Sequence, residues 1–239
     1  MTTTDLSITA VPAPITLDLY KDIHKGIRAE LFAVTGEAGR IDPSQGLARA
    51  ALATHVSDVV HLLTGHADHE DAAIQPALEA HLPDLAERIE VDHLTLEARM
   101  DDLVEMASEA ASRTAIDPGA KVHRIYLALA SFTSDYLRHQ DIEERVVMPA
   151  LEAAVGFPEV LTIHQAILGN MPPEEMAKGL AVMMPAMNID DRATLLGGMR
   201  AGAPAEVFQS VWSLVGSVLE VDDRRALAHR LDIAGARGG

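Results

Sequence analysis

Two stretches of this chain carry one pattern: HADHEDAAIQPALEA at 66–80 and HQDIEERVVMPALEA at 139–153. In each, a glutamate follows the leading histidine by four residues and a proline follows it by ten, giving His66, Glu70 and Pro76, then His139, Glu143 and Pro149. Residues i and i+4 share one face of an α-helix. Each stretch therefore points an imidazole and a carboxylate at one spot, and the two look like halves of one metal site. Imidazole with carboxylate suits iron, manganese or zinc, and the chain has no cysteine to build a thiolate site.

Working outward, four long amphipathic segments surround these stretches. The first places Leu17, Tyr20, His24, Ile27, Leu31 and Val34 at helical spacing, the seam of a bundle helix. The second runs from about Leu47 to Glu79 with Val59, Leu62, His66, Glu70 and Ala73 on one stripe, and Pro76 should kink or stop it. The third starts near Pro83, a good first-turn residue, and its stripe is Leu85, Ile89, His93, Leu96, Met100 and Leu103. The fourth follows the Asp117-Pro118-Gly119 turn and carries Val122, Ile125, Leu129, Phe132, Tyr136, His139, Glu143, Val146 and Ala150. Every helix sends ligand-type side chains into its own apolar seam.

Composition agrees with an all-α protein. Aromatics are 3% while 48% of residues are hydrophobic, so strand formers are sparse and core material is ample. A formal net charge of −17 argues against nucleic acid and anionic membrane as partners, because both demand a basic surface. No export signal or membrane-spanning run is evident, which makes a cytoplasmic location the expectation. The phosphate-loop and nucleophile-elbow motifs are absent too, so an organic substrate has no support.

The expected architecture is an up-down-up-down four-helix bundle with a C-terminal appendix of short helices. Residues 1–15, with Pro12 and Pro14, read as an arm, 16–155 as the bundle, and 156–239 as the extension. Prolines and glycines divide the extension into expected helices at 173–186, 189–201 (capped by Asn188), 204–219 and 221–231. Met183, Met184 and Met187 read as core filler in preference to a soft-metal site.

Four imidazoles and two carboxylates buried on apolar seams would be very costly without a cation. Facing helices of a bundle can bring all six to one level. Two glutamates able to bridge, with four terminal imidazoles, fit a dinuclear centre better than a mononuclear one. Ferritin-like sites use Glu-x-x-His on two helices. Here only Glu90 and His93 follow that order.

The succession His24, His66-x3-Glu70, His93, His139-x3-Glu143, with Pro76 and Pro149, resembles the hemerythrin-like (HHE cation-binding) proteins over roughly residues 15 to 155. The resemblance implies a four-helix bundle around two iron ions, oxo- or hydroxo-bridged, with His24, His66, Glu70, His93, His139 and Glu143 as ligands. O2, peroxide or NO would be the small partners. Oxygen-carrying members have a second histidine one turn after the first on the third helix and an aspartate five residues after the histidine of the fourth. This chain has Glu97 at the former place and Glu143, at four residues, instead of the latter. An iron with one imidazole fewer is more open, which favours ferric iron and turnover over reversible oxygen storage.

Further residues stand near this set. Glu97, four residues beyond His93, and His164, just past the fourth helix, are candidate extra ligands, with a helix surface and a cap as their alternative roles. Tyr20 and Tyr136 lie within a turn of His24 and His139, where a phenol can hydrogen-bond a metal-bound oxygen, ligate ferric iron or simply pack. Asp71 and Glu144, each directly after a ligand-type glutamate, are candidate acceptors for imidazole N–H groups, with solvent-facing charge the simpler reading. His55, His61, His69, His81, His123 and His229 read as solvated. Three functions remain open from sequence: peroxide or nitrogen-oxide conversion, iron or oxygen sensing, and iron buffering without turnover.

Overall fold

The computed structural model describes residues 15–233, so nearly all of the expected N-terminal arm lies outside it. Those residues are helical, and no strand occurs among them. The long helices are α1 (Lys21–Ala38), α2 (Gly46–Ala73), α4 (Pro83–Ala111) and α5 (Pro118–Ile142), with a short α3 (Gln75–His81) between α2 and α4. A π-helical turn, Glu143–Val147, joins α5 to α6 (Met148–Val155). After it come α7 (Phe157–Asn170), α8 (Pro173–Ala186), α9 (Ile189–Gly202), α10 (Ala205–Val218) and α11 (Val221–Arg230).

The ends of these helices follow from local chemistry. Asp18 accepts from the backbone N–H of Tyr20 and Lys21, so α1 begins at Lys21 and not at Leu17 as the seam suggests. Asp117 adopts the left-handed conformation at φ 50° and its carboxylate accepts from Ala120 N–H at 3.0 Å, opening α5 just before Pro118. Gly156, at φ 79°, ends α6 in a conformation that a side chain would strain.

The described residues divide into two compact units, 15–21 with Leu31–Asn170, and Asp22–Glu30 with 171–233. In the first, α2, α4 and α5 are successive neighbours of an up-down-up-down bundle. The later part of α1 joins α5 through the hydroxyls of Thr35 and Thr133 at 3.1 Å, and joins α2 through Glu37 and His55 at 2.5 Å. His55 is thus half-buried and paired, not solvated. The seams hold as spaced, with Leu31, Val34, Ile89, Leu96, Ile125 and Leu129 buried. On α2 Leu63 is fully buried, and Leu62 is only half-buried.

The second unit has its own core around Leu180, Met184, Leu196, Val215 and Leu227. Met184 and Met187 are buried in it, which makes the methionine run packing material. Buried Arg192 donates to the carbonyls of Met184 and Pro185 at the end of α8 and to Asp223 at 2.8 Å. Asn188 caps α9 through Asp190 and Asp191 N–H, as its sequence position indicates. Lys25 of α1 pairs with Asp191 within this unit. A helix over 157–170 was not among the sequence expectations, yet α7 forms there and packs with α6 and α2.

Candidate metal centre

The stripe positions place the ligand-type side chains in the dry interior. His24, Glu70, His93, His139 and Glu143 are buried, and the His66 side chain is 8% exposed. The two repeats give the same local geometry: His66 Nε2 stands 3.0 Å from Glu70 Oε1, and His139 Nε2 stands 3.0 Å from Glu143 Oε1. His93, from α4, reaches between them, with Nε2 3.3 Å from Glu70 Oε2 and 3.8 Å from Glu143 Oε1. Its ring meets that of His139 edge-on at 5.0 Å.

These residues form two overlapping sets. His66, Glu70 and Glu143 offer one donor atom each, all within 4.8 Å of one another, and so do Glu70, His93, His139 and Glu143, while His24 is buried on the part of α1 that belongs to the second unit. Both carboxylates belong to both sets, His66 belongs to the first alone, and His93 and His139 belong to the second alone. Glu97 and His164 belong to neither. Glu97 is half-buried on α4, and His164 is half-buried on α7, where burial holds it below the ordinary histidine range.

The donor set fits a cation on its own chemistry. Both Glu70 oxygens and His93 Nε2 are buried with no aligned hydrogen-bond partner among the described residues, despite the short separation between them. Orphaned buried acceptors of this kind carry a large desolvation penalty that a bound cation would cancel. Without a cation, protons take its part. Burial and the facing Glu143 push the Glu70 carboxyl up to about 8. Burial alone would lower the imidazoles, but the carboxylates outweigh it. Glu143 and Glu70 raise His93 to about 11, and Glu143, Asp92 and Glu70 raise His139 to about 9.

Tyr20 and Tyr136 are both 2% exposed. Burial first, then Glu70 and Glu143, hold each phenol well above its ordinary value, so both stay protonated as donors. Tyr20 lines a narrow cleft with Glu70, Asp71, His93 and Glu143, closed by Ile74, Leu78 and Ile89. Tyr136 packs its ring edge-on against His139 at 5.7 Å.

Two polar residues near the cluster went unnoticed in the sequence. Asp92 Oδ2 lies 3.8 Å from His139 Nδ1, and Gln140 is fully buried with neither amide atom hydrogen-bonded among the described residues. Asp71 is not merely solvated: it accepts from His93 Nδ1–H at 2.8 Å. No period in the sequence reports such contacts between helices.

A bundle with a buried nest of histidines and glutamates, spaced to hold a cation, defines a helical metal-binding protein. The family model for the hemerythrin HHE cation binding domain matches residues 16–151, and the chain belongs to that family. No curated protein and no solved structure matches the chain. Among the described residues, no single helix is long and apolar enough to cross a membrane.

Proposed function

We propose that the chain is a non-heme di-iron protein that converts dioxygen-derived or nitrogen-oxide species, with peroxide disproportionation as its turnover. The observation that carries this reading is that Glu70 and Glu143 are common to both donor sets. Two carboxylates shared by two sets suit a pair of cations, with His66 serving one and His93 and His139 the other. The donors are imidazoles and two carboxylates. That leaves positions open to a small ligand, as in non-heme iron sites with two histidines and a carboxylate.

Iron held there would supply redox cycling and Lewis acidity. The chain supplies the rest. Ile74, Leu78 and Ile89 form the apolar part of the cleft lining beside Glu70, His93 and Glu143 and leave no room for a large substrate. Tyr20 and Tyr136 keep their hydroxyl protons beside the two carboxylates and can donate to an oxygen bound nearby. Two peroxide molecules give two waters and one dioxygen, so no outside reductant is needed.

Elemental analysis of protein purified without added metal, followed by a peroxide assay, tests the reading. The expected outcome is about two iron ions per chain and peroxide consumption that disappears in His66→Ala and Glu143→Ala. Iron-loaded protein that leaves peroxide untouched would reduce the function to binding, sensing or buffering.

A further inference from the structure

His93 and His139 each turn their second ring nitrogen away from the carboxylate pair, and an aspartate of the neighbouring helix meets it. His93 Nδ1–H, on α4, donates to Asp71 Oδ1, on α2, at 2.8 Å. His139 Nδ1, on α5, stands 3.8 Å from Asp92 Oδ2, on α4. Asp71 directly follows Glu70 and Asp92 directly precedes His93. Each is therefore about 100° around its helix from a seam residue, which turns it to the adjoining helix and away from the centre. Neither aspartate belongs to a donor set. Both keep contact with water, their side chains being 46% and 36% exposed.

An imidazole offers a lone pair at Nε2 only when its proton sits on Nδ1, and an acceptor at Nδ1 selects that tautomer and fixes the ring rotation. We propose that Asp71 and Asp92 are positioning residues of the metal centre, two carboxylate clasps handed from α2 to α4 and from α4 to α5 that aim His93 and His139 at the cation. This inference rests on the metal-binding reading above.

The clasps differ in readiness. The Asp71 clasp is already closed at 2.8 Å, so His93 is aimed before any cation arrives. The Asp92 clasp is open at 3.8 Å, and His139 Nδ1 has no hydrogen-bond partner among the described residues. A proton confined to His139 Nδ1 gives Asp92 a donor to accept from, and a rotation of its partly exposed side chain spans the gap. The Asp71 clasp is thus made before loading, and the Asp92 clasp tightens on loading.

The test uses the full chain with Co2+ as probe. Affinity is measured by competition with a chelator, and the exchangeable imidazole N–H resonances are followed in the paramagnetically shifted proton spectrum. Asp71→Ala is expected to weaken Co2+ binding about 10- to 100-fold and to speed the exchange of one shifted N–H. Asp71→Asn should recover part of the affinity, because its amide oxygen still accepts, and it carries the test if the alanine variant fails to fold. Asp92→Ala should show a smaller loss, with faster exchange of a different N–H. Asp68→Ala, exposed on α2, should match the parent. Parent-like affinity and N–H exchange in the Asp71 variants would overturn the inference while leaving the metal centre standing. A parent chain that binds no Co2+ would overturn both.

Discussion

The repeats at 66–80 and 139–153 begin alike and end alike, yet they reach their prolines by different backbone routes. Proline has no N–H to give and its ring clashes with the carbonyl four residues back, here Ala72 for Pro76 and Arg145 for Pro149. The first repeat stops α2 at Ala73, turns at Ile74 and starts again as α3 at Gln75. The second never breaks: Met148 N–H bonds Glu143 O, five residues back, and a π-helical turn carries α5 into α6. Above this divergence the His–Glu separation is 3.0 Å in both repeats, and below it Ile74 and Leu78 share one core cluster with Val147, Met148 and Leu151. Site and core therefore constrain the two halves equally, while the segment between them accepts either solution. Both irregularities begin within four residues of a shared carboxylate, and π turns recur at functional sites for the freedom they give side-chain direction.

The largest expected effect separates the shared groups from the unshared ones. Glu70→Ala and Glu143→Ala each remove a member of both donor sets, so either variant should fall from about two iron ions per chain to almost none. His66→Ala and His139→Ala each touch one set and should retain about one. Iron per chain, measured on protein with the parent's far-UV spectrum, decides the matter. A glutamate variant that keeps a full iron ion would show the carboxylates are not shared and would break the equivalence of the repeats.

Each repeat also holds one group whose proton affinity folding raises: Glu70, from 4.5 to about 8, and His139, from 6.5 to about 9. His93 rises from 6.5 to about 11. A raised group supports the fold fully below its unfolded value and loses that support as pH climbs through the folded one. The metal-free chain should accordingly lose stability from about pH 5 upward, Glu70 contributing its loss by about pH 8 and His139 by about pH 9. A cation displaces these protons and binds more tightly as pH rises. The gap in melting temperature between loaded and metal-free protein should thus widen across the same range. Thermal melts of both forms at several pH values check this, and a metal-free chain that grows more stable with pH would contradict it.

How far the sequence reached depends on what a helical period can report. Four seams at 3.6-residue spacing placed Ile27, Leu31, Ile89, Leu129 and the ligand-type residues in the interior, because period and burial are the same property seen twice. Asn188 and the prolines of the second unit bounded its helices, since caps and missing N–H groups act locally. The helix α7 escaped notice because Gly156 and Pro158 resembled breakers. In the structure the glycine ends α6 and the proline sits in the first turn of α7, while Val160, Ile163 and Ile167 keep helical spacing. The π turn was invisible for a different reason: five residues of it do not disturb a pattern read over many turns. Asp92 beside His139, and Glu37 beside His55, are matters of which helices adjoin. A single helix carries no record of that.

The smallest expected effect concerns what holds the first repeat in its broken form. Gln75 and Met148 occupy corresponding positions just before the two prolines. Gln75 Nε2 donates to Ala86 O at the start of α4, at 3.1 Å, whereas Met148 is fully buried and has no such donor. Gln75→Met, which copies the second repeat into the first, should cost about 1 kcal/mol by removing that bond. For a chain of this length, that lowers the melting temperature by about 2–4 °C. The iron content should not change, because Glu70 and His66 stand above the break and keep their own helix. If the melting temperature does not move, Gln75 has no part in holding the break. The choice between a broken helix and a π turn must then lie in the four residues that follow each carboxylate, DAAI against ERVV.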